Sequence, residues 1–308
     1  MKGPFEAHPP EVLYHYTSWD GAEGILSTQR FWFTAHDCTN DPAELESADQ
    51  LVTDTAKALM PEADEVGRAL LNTFAANYRR FKLPAMVGPV YLACFSVARS
   101  SRSQWDCYAD RGRGLCLGVE ILKDEEAAGD LPVVVSLHPV EYSERVAQRR
   151  VETTLRAVCQ ALSLAISGGS ARSRRPVELA LSAMYRMAAF TALSTKKAQW
   201  RREREWRQVA FPRPGQKVKP LVRNSSGREI RYLALPVRQP GRPIALYEVI
   251  IGPNQNEAEA RKRLGCLLAR TGYPCTHAGL PRITVAHRVP CLTSGLTGRT
   301  GHGLSCGS

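Results

Sequence analysis

The chain has 308 residues, 44% hydrophobic and 23% charged, a balance that excludes a disordered, fibrous or low-complexity protein and gives enough apolar mass to fold without staples. Forty-one Lys and Arg against 30 Asp and Glu leave a formal charge of +11 and a pI near 9.4, which draws the chain toward polyanions: nucleic acid, nucleotide phosphates or an acidic membrane face. Most of these cations are Arg, which a GC-rich coding sequence also produces, so the charge alone selects no partner.

No apolar stretch approaches the roughly 18 residues of a membrane span, and the first ten residues carry neither an apolar core nor a positive run. The expectation is a cytoplasmic protein with no membrane partner, delivery into a target cell without a cleavable signal being left open. Nine cysteines, odd in number and without a C-x-x-C pair, indicate reduced thiols and no zinc site; the nearest cluster, Cys266, Cys275 and His277, lacks a fourth ligand.

In chain order, a strand is predicted over 11–16, then a helix over 19–27 begun by Ser18 or Asp20 and turning Ile25 and Leu26 inward, then a strand over 31–34. Asn40-Asp41-Pro42 reads as a capped start with Pro in the first turn, opening a helix to about 58; another helix spans about 62–80. A strand over 90–97, one helical turn over 103–108 and a strand over 114–120 follow. Helices over 146–167 and 176–199 flank a Gly, Ser and Arg segment at 168–175, expected to be a mobile basic loop. Strands return at 205–211, 229–235 and 244–251, then a helix at 257–271 and a strand at 282–288; the Gly- and Ser-rich end is expected to be disordered. With helices gathered in the middle and strands supplied from both ends, the expected class is α+β: one domain over 1–288 with a split mixed or antiparallel sheet around a cleft, a helical insertion at 144–199 and a tail at 289–308.

Four stretches carry chemistry. In Leu13-Tyr14-His15-Tyr16-Thr17-Ser18, period-two alternation sets His15 opposite Tyr14 and Tyr16, where a ring nitrogen can meet a sugar hydroxyl or simply a neighbouring carbonyl. Helix capping is a sufficient explanation of Asn40-Asp41-Pro42-Ala43-Glu44. Trp105 and Tyr108, after Cys94-Phe95-Ser96, share a helical face and either stack on a planar ring or join the core. In Lys196-Lys197-Ala198-Gln199-Trp200-Arg201-Arg202-Glu203-Arg204-Glu205-Trp206-Arg207, a strand starting near Glu203 would project Glu203, Glu205 and Arg207 together. Such a carboxylate pair suits a reaction through an oxocarbenium-like centre, while a helix would make the run a solvated face.

Taken in order, these segments with Phe31-Trp32-Phe33-Thr34, Tyr108-Ala109-Asp110, Gly114-Leu115-Cys116-Leu117-Gly118-Val119-Glu120 and Val249-Ile250-Ile251-Gly252-Pro253 resemble the bacterial domain of unknown function 2971 family over about residues 13–288. The opening strand with its His and hydroxyl is in turn similar to the first motif of ADP-ribosyltransferases of the diphtheria-toxin and poly-ADP-ribose-polymerase type. The resemblance implies a split, strand-rich fold gripping NAD. It implies that His15, with Tyr16 and Thr17, holds the ribose beside nicotinamide, that Tyr108, Trp105 or the Phe33-Thr34 strand flanks the nicotinamide ring, with Ser96 in a Ser-Thr-Ser-like strand, that Glu205 stabilises the ribosyl cation and that Glu203 acts as the second glutamate of arginine-directed transferases. Arg111 and Arg113 would hold the pyrophosphate unless they form a plain strand-entry turn. The expected function is an NAD-dependent ADP-ribosyltransferase acting on a protein or nucleic acid, with no metal. The rival is a non-catalytic nucleic-acid-binding module gripping backbone through Arg172, Arg174, Arg175, Arg201 and Arg202, in which His15 and Glu205 are structural.

Overall fold

A computed structural model describes residues 10–39, 43–87, 89–121, 131–168, 174–213, 216–225, 227–236, 244–273 and 282–286. Asn40-Asp41-Pro42, Cys275, His277, most of the basic loop and the tail lie outside these residues. In chain order the elements are β1 (Leu13–Thr17), α1 (Trp19–Thr28), β2 (Phe31–Ala35), α2 (Ala43–Leu59), α3 (Glu65–Val87), β3 (Tyr91–Ser96), α4 (Arg102–Tyr108), β4 (Leu115–Val119), β5 (Val133–Pro139), α5 (Glu144–Ser167), α6 (Arg175–Ser194), β6 (Glu205–Pro212), β7 (Leu221–Ser225), β8 (Arg228–Leu235), β9 (Leu246–Ile251), α7 (Glu257–Arg270) and β10 (Arg282–Val285).

Local chemistry sets the ends of α1: the Ser18 hydroxyl accepts the Gly21 N–H at 3.1 Å, and Gln29 stops the helix in the left-handed region at φ 55°. Ser143 and Asn256 cap α5 and α7 in the same way. One boundary differs from the sequence expectation. Helix α6 ends at Ser194, and a 3-10 segment, Ala198–Glu203, follows; Arg204 then adopts the left-handed region at φ 46°, so the strand begins at Glu205, as the expected 205–211 span has it, and Glu203 does not share it. Strands β5 and β7 were not anticipated: Val133-Val134-Val135 gives no alternation, and β7 is short and largely exposed.

The fold is α+β around a mixed sheet, in which β9 and β10 are parallel and the other pairs antiparallel. Strand β3 is its branch point. Its register along one edge is with β6, from Tyr91↔Ala210 to Ser96↔Glu205, and β6 continues to β5. The other edge is shared: β1 pairs at one end through Tyr14↔Ser96, and β2 at the other through Thr34↔Leu92 and Ala35↔Tyr91. The sheet therefore forks into a wing of β1, β4, β9 and β10 and a wing of β2, β8 and β7. As expected, the first and last strands lie in one sheet.

Helices cover both faces. On one, α1 and α7 bury Ile25, Leu26, Leu264 and Leu267 against Leu13, Phe31, Phe33, Phe95, Leu117, Trp206 and Val249. On the other, α4 brings Trp105 and Ala109 onto Tyr16, Cys116 and Ile250, while Ala189, Ala192 and Leu193 of α6 and Ala48 of α2 meet Leu92 and Val209. The helical layer is larger than the expected insertion at 144–199. Helices α2 and α3, inserted before β3, pack with α5 and α6 around Val52, Leu71, Phe74, Leu155 and Met184. No described helix is long and apolar enough to cross a membrane. Cys107 is disulfide-bonded, so the expectation of reduced thiols fails there.

This shared helical core is testable. Leu155 is fully buried, and Leu155→Ala should cost about 2–5 kcal/mol through lost contacts and a residual cavity. Leu164→Ala on the same helix, at a position 66% exposed, should change stability by less than about 0.5 kcal/mol. Equal urea midpoints for the two variants would contradict the four-helix packing.

Candidate functional site

The ends of β3 and β6, α4 and the 3-10 segment converge on a desolvated charge cluster. Lys196, Glu203, Glu205 and Arg207 are 8%, 5%, 6% and 4% exposed. Lys196 Nζ bridges the carboxylates, donating to Glu203 Oε2 at 2.5 Å and Glu205 Oε2 at 3.3 Å. Arg207 forks onto Glu205, Nε to Oε1 at 2.7 Å and Nη2 to Oε2 at 3.2 Å, and gives Nη1 to the Leu193 carbonyl at 3.0 Å. Tyr108, 38% exposed, donates its hydroxyl to Glu203 Oε1 at 2.9 Å.

Backbone bonds fix these groups in place. Ser96 Oγ donates to the Glu203 carbonyl at 2.5 Å and accepts the Ala98 N–H at 3.0 Å, tying the 3-10 segment to β3. The Glu205 N–H donates to Tyr142 Oη at 2.8 Å. Lys196 also lies 5.2 Å from the centre of the Trp200 ring, a cation–π contact inside the same segment.

The two carboxylates differ. Burial pushes Glu205 up, but Arg207 and Lys196 overcome it and bring its pKa down to about 2, so it is a fixed anion. Burial dominates at Glu203, helped by the neighbouring charge of Glu205 and only partly opposed by Lys196, and its pKa is raised. Burial and Glu203 also raise Tyr108, which stays a phenol and a donor. Glu203 Oε1 takes a neutral donor, the Tyr108 hydroxyl, from a residue that reaches solvent, while the Glu205 carboxylate, held by Arg207 and Lys196, also meets the Cys94 thiol. The arrangement can accept or return a proton at Glu203 Oε1 while Glu205 holds Lys196 in register.

His15 sits elsewhere. Paired residues share a face, so Tyr14↔Ser96↔Glu205 puts Tyr14 with Glu205, and His15↔Leu117 puts His15 on the opposite face, with the α1/α7 core. Its ring lies edge-on to Phe31 at 5.1 Å and tilted on Phe95 at 5.6 Å, in the crotch of the fork. Nδ1 is 2.9 Å from the Cys94 carbonyl, which can only accept, so Nδ1 carries the proton. Burial lowers the His15 pKa, leaving a neutral ring whose Nε2 accepts rather than donates.

The other expected contacts separate cleanly. Tyr16 is buried, its hydroxyl donating to the Ala98 carbonyl at 2.7 Å and accepting the Ser101 N–H. Thr17, Phe33, Trp105 and Ser96 are buried in the fold, so Phe33 and Trp105 offer no open ring face. Thr34 stays partly exposed on β2. Arg111 is left-handed at φ 52° and its carbonyl accepts from Asn254, while Arg113 pairs with Asp110 at 2.9 Å; both belong to the turn entering β4. The site thus unites Tyr108, Glu203 and Glu205 and leaves His15 apart. Sequence reasoning missed Lys196 and Tyr142 as partners. Lys196 had a usable signal, standing seven residues before Glu203 in the same charged run; Tyr142 had none. A groove of about 510 Å³ between α1 and α7, lined by Trp19, Arg263 and Cys266, is on the helical layer opposite the carboxylates.

No family model matches the sequence, and neither curated proteins nor solved structures give a match.

Removing one partner of a buried ion pair strands its counter-charge, so Lys196→Met should cost about 3–5 kcal/mol, read from chemical denaturation. The acid limb follows from Glu205. Its folded pKa of about 2 is below the ordinary carboxyl value, so its contribution is complete above about pH 4.3 and is lost as pH falls toward 2, on the order of 3 kcal/mol. The raised Glu203 acts in the opposite sense, favouring the fold at low pH and losing that contribution as pH rises through its folded pKa. Glu205→Gln should flatten the acid loss; an unchanged acid limb would place it on other groups.

Proposed function

We propose that the chain is an NAD-dependent ADP-ribosyltransferase acting on a macromolecule. One observation carries the reading: a buried carboxylate pair at the branch of a forked sheet, with the anion Glu205 locked behind by Lys196 and Arg207 and the raised carboxyl Glu203 meeting solvent through Tyr108. The forked sheet and the Glu-x-Glu spacing also support it.

NAD supplies a ribose carbon whose bond to nicotinamide breaks with the electron pair leaving on the ring nitrogen. Glu203 Oε1 is the group within reach of the opening that can take the proton of the incoming heteroatom as its bond to that carbon forms. Tyr108 keeps Glu203 oriented and offers a partly exposed ring for a planar group. Glu205 acts through Lys196, as a positioning residue rather than the cation's direct partner, because both its oxygens are taken by Arg207 and Lys196. His15 loses the ribose contact given to it from the sequence: it pins the fork through Cys94 and lies on the other face. Arg111 and Arg113 take no assigned part.

The test is nicotinamide release and label transfer from NAD into a cell extract. Glu203→Gln, which keeps shape and removes the basic oxygen, should lower both by about 10²–10³-fold. His15→Asn, whose amide can still donate to the Cys94 carbonyl, should retain activity within about threefold. A folded His15→Asn protein without activity would return His15 to the substrate, and an active Glu203→Gln protein would refute the assignment of Glu203.

A further inference from the structure

The same segment that sends Lys196 and Glu203 inward presents Lys197, Arg201, Arg202 and Arg204 to solvent. These four cations form an arch over the cluster, held at its ends by the buried Lys196 and by the Ser96 bond to the Glu203 carbonyl. None has an ion-pair partner among the described residues. Several surface arginines elsewhere are paired, Arg113 with Asp110, Arg156 with Glu62, Arg261 with Glu257 and Arg270 with Glu23, whereas the arch sets four cations without ion pairs within eight residues. The cluster beneath balances two cations with two carboxylates, so the outward field of the arch is not cancelled from below. At its foot is the exposed ring of Tyr108, fixed by its bond to Glu203.

Unpaired cations spaced along a short rigid segment, beside an aromatic face, suit a phosphodiester backbone with a splayed base. We propose that the arch binds single-stranded nucleic acid, its phosphates on Lys197, Arg201, Arg202 and Arg204 and a base against Tyr108, and thereby presents that strand as the acceptor. The acceptor role rests on the transferase reading; the binding does not. A duplex fits less well, because its bases are stacked away from Tyr108.

The experiment measures fluorescence anisotropy of labelled 20-nucleotide single strands of RNA and DNA, and of the matching duplexes, with the full chain across a potassium chloride series. Lys197→Gln/Arg201→Gln/Arg202→Gln should weaken single-strand binding by at least tenfold and reduce the slope of log affinity against log salt by about 2, at roughly 0.7 per lost phosphate contact. A control with the same charge change at three exposed distant sites, Lys217→Gln/Lys219→Gln/Lys262→Gln, should lose less than threefold. Arg201→Lys/Arg202→Lys keeps the charge and should bind within threefold of the parent, which guards against misfolding of the neutral variant. Equal losses in arch and control variants, or duplex bound as tightly as single strand, would overturn the proposal. Transfer is read separately: with labelled NAD and extract, label sensitive to nuclease supports the nucleic acid as acceptor, and label sensitive only to protease overturns that role. Binding through the arch with inert NAD would support the binding and defeat the transferase reading alone.

Discussion

Four charges removed from water control the central part of this molecule. An isolated carboxylate or ammonium at the burial of Glu203, Glu205, Lys196 or Arg207 would cost several kcal/mol, and each is tolerated only because the others stand within hydrogen-bond range. That requirement reaches outward. Lys196 needs the chain after α6 to leave the helix, Glu203 needs a 3-10 segment rather than a strand, and Arg204 must turn left-handed so that Glu205 can enter β6. Ser96, Tyr108 and Tyr142 then saturate the edges of the network. The cluster is less a store of stability than a constraint that admits one arrangement of these segments.

The fork of β3 is the second constraint. Where β1 and β2 part, carbonyls on that edge lose their strand partners, and an unpaired buried carbonyl is costly. His15 answers one of them at Cys94 and fills the wedge between Phe31 and Phe95. The residue that motif resemblance places in catalysis is, by geometry, the one that makes a divided sheet tolerable.

Most of the fold was legible locally. Caps, glycines and periodicity located almost every strand and helix within a few residues, because these signals act over one or two turns. The alternation of β1 also set His15 opposite Tyr14 and Tyr16, as observed. What β1 could not disclose was which of its faces meets Glu205, since that depends on Tyr14 pairing Ser96 and Ser96 pairing Glu205, a chain of registers spanning nearly two hundred residues. Likewise Glu203 and Glu205 do come together, but through Lys196 and a turn rather than through strand alternation. The missed strand β5 has a run of valines with no polar partner face in sequence, and the joining of α2 and α3 to α5 and α6 leaves no mark in either pair alone.

The interleaving of sheet and helices bears on how the chain reaches this state. Strand β2 at residues 31–35 pairs with β8 at 228–235, and β4 at 115–119 with β9 at 246–251, so neither wing can close while the chain is only half made. The helical layer can condense once α6 is complete, well before either wing has its partner. A chain emerging from the ribosome would therefore hold β2 and β4 each with a bare edge until its last quarter arrives. Pairing over such separations is slow, and open strand edges invite wrong partners in the interval, which makes this a protein whose yield depends on how its synthesis is paced and shielded.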